Sequence, residues 1–142
     1  MKRFPVIGVL CVSAVFGLAA CSDDSSPSED ATKAAADLCT DLTSLKADNA
    51  KLKALNPATA TKDQVKDAYD AVREDWDNVK ENANQLKEAE RAAVQDAADN
   101  LKKAYDGLPG DTTGKDARTQ LQPQIDQLDQ ATTNATTGLR CG

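Results

Sequence analysis

Four thiols hold most of the chemistry that this 142-residue chain offers: Cys11, Cys21, Cys39 and Cys141. A thiol can accept a lipid or acyl group, pair as a disulfide, ligate a metal, or attack as a thiolate. The last use needs a base or a cation beside the sulfur, and the chain has no histidine. That absence also removes the commonest general base, metal ligand and pH switch. Neither Cys39 nor Cys141 lies in a Cys-x-x-Cys motif. An enzyme is not expected, and no catalytic residue, metal or cofactor is assigned.

Three other groupings invite chemistry. Asp67, Asp70, Glu74, Asp75, Asp77 and Glu81 crowd one stretch, but a helix there spreads its carboxylates outward, whereas calcium sites wrap theirs in a loop. They read as a solvated face. The run from Gly110 to Lys115 imitates a phosphate loop and fails: Pro109 stands where the first glycine belongs and Asp116 where the metal-binding hydroxyl belongs. It reads as a helix connector. Tyr69 and Trp76 are seven residues apart, hence on one helix face. They are a possible ligand slot between helices, weighed against the simpler role of filling a core short of large side chains.

The elements that would position these residues begin with an address. Lys2 and Arg3 precede an uncharged, mostly apolar run that ends in Leu18-Ala19-Ala20-Cys21. This resembles the lipobox of bacterial lipoproteins, in which the cysteine receives a diacylglycerol and becomes the first mature residue. The resemblance implies a signal peptide over 1–20, lipidation at Cys21, and export to the outer face of the cell membrane. An uncleaved transmembrane helix is the rival, though an uncharged run of 17 residues containing Pro5, Gly8 and Gly17 is short for a span. Residues 21–30 then form the lipidated cysteine and a disordered acidic linker (SDDSSPSED after the cysteine), reaching at most about 30 Å.

Loss of Lys2 and Arg3 takes the net charge from −6 to −8. That acidity excludes a nucleic-acid partner, which requires a basic footprint. Membrane association would run through the lipid. With Phe4 and Phe16 in the signal-like segment, Tyr69, Trp76 and Tyr105 are the only mature aromatics. Core volume must come from Leu, Val, Ile and Ala, so a thin core and a covalent staple are expected.

Residues 31–142 read as an all-α domain. Leu38, Leu42, Leu45, Asn49 and Leu52 recur at steps of four and three, marking a helix over about 31–55, with Asp30 as a possible cap and Asn56-Pro57 as the stop. Thr61 and Gln64 form a capping box that opens a second helix. Its stripe (Val65, Tyr69, Val72, Trp76, Val79, Ala83, Leu86) runs on through Ala93, Ala97, Leu101 and Ala104 without a Gly or Pro until Gly107. Asn82 to Asn84 is the weakest helical patch, so the segment divides into helices at about 61–82 and 86–106. Gly107 suits a left-handed stop. A fourth helix over about 115–137 carries Leu121, Ile125, Leu128, Thr132, Ala135 and Leu139. Pro123 requires it to begin near 120–122 or to kink.

With Cys11 in the signal-like segment and Cys21 acylated, two thiols remain, and on an exported chain they most simply form one disulfide, Cys39–Cys141. A nucleophilic thiolate is the rival. An antiparallel up-down four-helix bundle returns Cys141 to the level of Cys39. The alternative is one continuous middle helix, 61–106, with two shorter helices packed on it. Apolar stripes of this kind can also pair between chains as coiled coils, but burial within one chain is the simpler account. Asn134-Ala135-Thr136 matches a glycosylation sequon, a coincidence in a bacterial lipoprotein.

The early cysteine with its leucine spacing (Cys39, Leu42, Leu45), the helix start ATKDQVK at 60–66 and the final Cys141 resemble a group of small, uncharacterised actinobacterial secreted proteins and lipoproteins. The resemblance covers most of the mature chain and implies the helical domain and the disulfide; it brings no activity. The expectation is a lipid-anchored, extracytoplasmic envelope protein, a non-catalytic structural or interaction module meeting an envelope protein or wall polymer. The alternative is a small-molecule carrier or sensor, with its ligand in the bundle interior near Tyr69 and Trp76.

Overall fold

The computed structural model describes residues 27–141, with side chains from Glu29 onward. The signal-like segment, Cys11, the lipobox and Cys21 lie outside the described residues. Four helices make up the body: α1 (Pro27–Ala54), α2 (Lys62–Asn82), α3 (Glu88–Asp106) and α4 (Gly114–Leu139), with a single 3₁₀ turn, Ala83–Gln85, between α2 and α3. This is the antiparallel up-down bundle. The continuous middle helix is ruled out by the turn at Ala83–Gln85, which falls in the Asn-rich patch where helix propensity is lowest.

Each boundary has a local cause. The Thr61 hydroxyl accepts from the Gln64 amide at 3.2 Å, and the Thr61 amide donates to Gln64 Oε1 at 3.0 Å, a complete capping box. Thr113 caps α4 with half of that arrangement: its hydroxyl accepts from the Asp116 amide at 3.1 Å and donates to the Asp116 carboxylate at 2.8 Å. α1 starts four residues before the expected linker ends. Pro27 is preorganised for a first turn, where its missing N–H costs nothing, and Glu29 and Asp30 favour the positive end of the helix dipole. Asp30 is therefore inside the helix and does not cap it.

Three further expectations are corrected. Gly107 is right-handed, with φ −82°; the left-handed residue that ends a helix is Arg140, φ 57°, beside the disulfide. α4 runs unbroken from Gly114 through Pro123. Pro123 is exposed, and the carbonyl it orphans belongs to Thr119, also exposed, so water can take the place of the lost amide. On α3 the buried residues are Val94, Ala97, Ala98 and Leu101, while Ala93 faces solvent. The stripe expected from α2 holds at Ala97 and Leu101, with Ala104 packed against the core; only its first α3 position moves, from Ala93 to Val94, just after the 3₁₀ turn.

The core is mainly aliphatic: Leu38, Leu42, Leu45, Leu52, Val79, Val94, Leu121, Ile125 and Leu128 are fully covered, and Tyr69 and Trp76 are the buried aromatics among them. α1 packs along both α2 and α4, and α4 along α3. Two polar residues set the α1–α4 register. Asn49, at 0% exposure, donates from Nδ2 to the Ile125 carbonyl at 2.9 Å. Buried Arg118 donates to the Lys53 carbonyl and to Gln122 Oε1. A slip of one residue would strand these donors, which makes the pair a register device as well as a local cost. At the end of the bundle that holds Asn82 and Asp41, joined at 3.4 Å, Cys39 and Cys141 are bonded with their Cα atoms 5.4 Å apart. At the other end Gly114 lies so close to the α1–α2 loop that a Cβ would sit 2.3 Å from the Ala60 oxygen.

Candidate cleft between the second and third helices

Although adjacent in sequence, α2 and α3 scarcely touch along their length. They join at the 3₁₀ turn and again at the far end, where the rings of Tyr69 and Tyr105 stack with centroids 3.8 Å apart and planes 9° from parallel. Between these two points the helices leave a cleft of about 400 Å³. Its floor is apolar: Tyr69, Val72 and Trp76 from α2, Ala98 and Leu101 from α3. Trp76, the one tryptophan of the chain, is 9% exposed, and that exposure is toward this opening.

The rim is charged. Arg73, Asp77 and Lys80 rise from α2, Asp99 and Lys102 from α3. Lys80 is held twice, by Asp77 at 2.5 Å and over the Trp76 ring at 6.0 Å from its centroid. Lys102 pairs with Asp106, one turn along the same helix. Among the described residues neither Arg73 nor Asp99 forms an ion pair, although they flank the same opening from opposite helices. Burial pushes the Tyr69 hydroxyl up to about 12, with Asp106 adding to the effect. Burial likewise raises Tyr105, helped by Asp70. Both rings are thus neutral across the physiological range.

The two aromatics singled out in the sequence therefore share one site, but on the flank of the bundle. Both rings also fill the core, the simpler role weighed for them: Tyr69 is 4% and Trp76 9% exposed, packed with the leucine, isoleucine, valine and alanine of the interior. Sequence reasoning missed Arg73, Lys80, Asp99 and Lys102. A signal was there for two of them, since Arg73 and Lys80 each follow an aromatic by four residues, the spacing at which helical side chains meet. The α3 residues had no such signal. Their approach depends on how far the two helices splay.

Elsewhere the surface is less enclosed. Beside the disulfide a broad hollow lined by Thr40, Thr43, Ser44 and Arg140 lies open to solvent. A shallow groove between α3 and α4 presents Asn100, Gln127, Gln130 and Asn134. The acidic α2 face is partly tied down: Asp70 pairs with Lys66 at 2.6 Å and Asp77 with Lys80. Among the described residues no three carboxylate, thiol or imidazole groups come together as metal ligands, and no helix is long and apolar enough to cross a membrane. Comparison with family models, with curated proteins and with solved structures finds no match for the chain.

Proposed function

We propose that the chain is an exported, lipid-anchored, non-catalytic binding module of the cell envelope, and that its ligand is a small molecule taken into the α2–α3 cleft. The lipobox-like Leu18-Ala19-Ala20-Cys21 supports the anchor, and the resemblance to small actinobacterial lipoproteins agrees with it. The observation that carries the binding reading is the cleft itself. It falls in the volume range of small-molecule sites and combines an aromatic floor with a few charges at the rim. A chain without histidine, with its mature thiols paired, has little with which to run a reaction and much with which to hold a ligand.

A second reading, contact with a wall polymer, is favoured by one feature, the amide-lined groove of Asn100, Gln127, Gln130 and Asn134. Amide side chains both donate and accept, as recognition of hydroxyl-rich polymers requires.

Native mass spectrometry of the mature chain after exposure to the small-molecule fraction of the envelope tests the main reading. Ala98→Phe, which projects a ring into the cleft, should abolish any adduct while leaving helical circular dichroism intact. An adduct that survives this substitution places the ligand elsewhere. The same spectra report the N-terminus: a diacylated Cys21 is expected, and a mature chain starting at another residue contradicts the anchor.

A further inference from the structure

We infer that the cleft is built for a zwitterion with an apolar body, the chemistry of a short apolar peptide or a free apolar amino acid. The inference rests on the cleft being the binding site and goes further, to the charge pattern of what enters it. Of the five charged side chains at the rim, Lys80 and Lys102 are engaged by Asp77 and Asp106. What remains is one guanidinium on α2, Arg73, and one carboxylate on α3, Asp99, lining the same space without an ion pair to each other.

Opposite charges that face one opening and do not meet are complementary to a molecule carrying both signs. The Arg73 fork suits a carboxylate, which it can grip through two parallel N–H donors. Asp99 accepts from an ammonium. Between them Val72, Trp76 and Leu101 offer an apolar seat. A simple anion would meet Arg73 but also the repulsion of Asp99, and a simple cation the reverse, so each charge selects against half of the alternatives. Arg73 is exposed and Asp99 half-buried, so neither is committed to the core.

The test uses the mature full-length chain and the dipeptide Phe-Leu in four forms: free, N-acetylated, C-amidated, and blocked at both ends. Trp76 fluorescence reports occupancy, because no other tryptophan contributes. Acetylation and amidation should each weaken binding about tenfold, the loss of one charge-assisted contact. In Arg73→Gln the penalty for amidation should vanish and that for acetylation persist; in Asp99→Asn the pattern should invert. Free phenylalanine and the tripeptide Phe-Leu-Leu, run alongside, tell an amino acid from a peptide by which length binds best.

If the doubly blocked dipeptide binds as tightly as the free one, and Ala98→Phe abolishes that binding, the cleft stands as a site and the zwitterion inference falls. If no form gives a saturable response up to about 10 mM, weaker than any useful affinity, the inference falls on its own, since the envelope-fraction experiment tests the cleft independently.

Discussion

Asp75 offers the sharpest check on how α1 and α2 are joined. Its carboxyl is pushed up to about 6 from 3.8, first by burial and then by the charge and hydrogen bonding of Asp48 across the interface; Glu74 adds to this and Lys51 opposes it. Lys51 itself sits on Asp48 at 2.5 Å. A carboxyl that holds its proton more tightly when folded adds stability below its unfolded value, and that stability is lost as pH rises through the folded value. The fold should thus weaken between about pH 4 and pH 6 on account of this one group. Its ceiling is about 3 kcal/mol, and partial contact with solvent brings the working figure to about 1.5 kcal/mol. Asp75→Asn keeps the shape and removes the charge. It should match the parent near pH 4 and exceed it by about 1.5 kcal/mol near pH 7.5, a urea midpoint higher by roughly 1 M. Circular dichroism at both pH values makes the comparison, since every other titrating group is common to the two chains. A substitution that shifts stability equally at both pH values, or destabilises at the higher one, refutes the reasoning.

Other outcomes follow from the same geometry. Replacing Cys39 and Cys141 with serine releases a loop of 102 residues' separation, for which chain entropy gives up to about 4.7 kcal/mol; urea unfolding with a loss below about 1 kcal/mol would show the staple to be idle. Gly114→Ala drives a methyl into the Ala60 carbonyl and should cost about 1–3 kcal/mol by thermal unfolding, whereas Gly110→Ala, with open space around it, should change little. Asn49→Asp removes the donor to Ile125 and buries a charge, so a loss of about 3 kcal/mol or more near neutral pH is expected, shrinking in acid as the new carboxyl protonates. An unchanged melting temperature at neutral pH would mean that water reaches this position.

What could be read from the sequence is what local chemistry decides. Thr61 and Gln64 cap α2 through atoms three residues apart, and the leucine steps of α1 bury Leu38 through Leu52 as the period requires. The asparagines around Ala83 mark the break because propensity acts within a turn or two. The failures share the opposite character. Val94 takes the buried place expected of Ala93, next to the 3₁₀ turn whose geometry only the folded connection sets, while Ala97 and Leu101 keep theirs. Pro123 does not set the start of α4, because Thr113 caps the helix ten residues earlier and the buried stripe on both sides of the proline holds the helix across one missing bond. Arg118, a surface residue by type, is drawn inside because the Lys53 carbonyl at the end of α1 waits for a donor. Of the cleft, the α2 half was visible in Tyr69 and Trp76. The α3 half was not, since which pair of helices stands apart follows from the packing of all four.

The central claim, that a small ligand is held between α2 and α3, is tested most directly by hydrogen–deuterium exchange on the mature chain with and without the small-molecule fraction of the envelope. Slowed exchange over residues 69–80 and 98–102, with α1 and α4 unchanged, is the predicted result. Protection confined to the α3–α4 groove or to the end that carries the disulfide would contradict it.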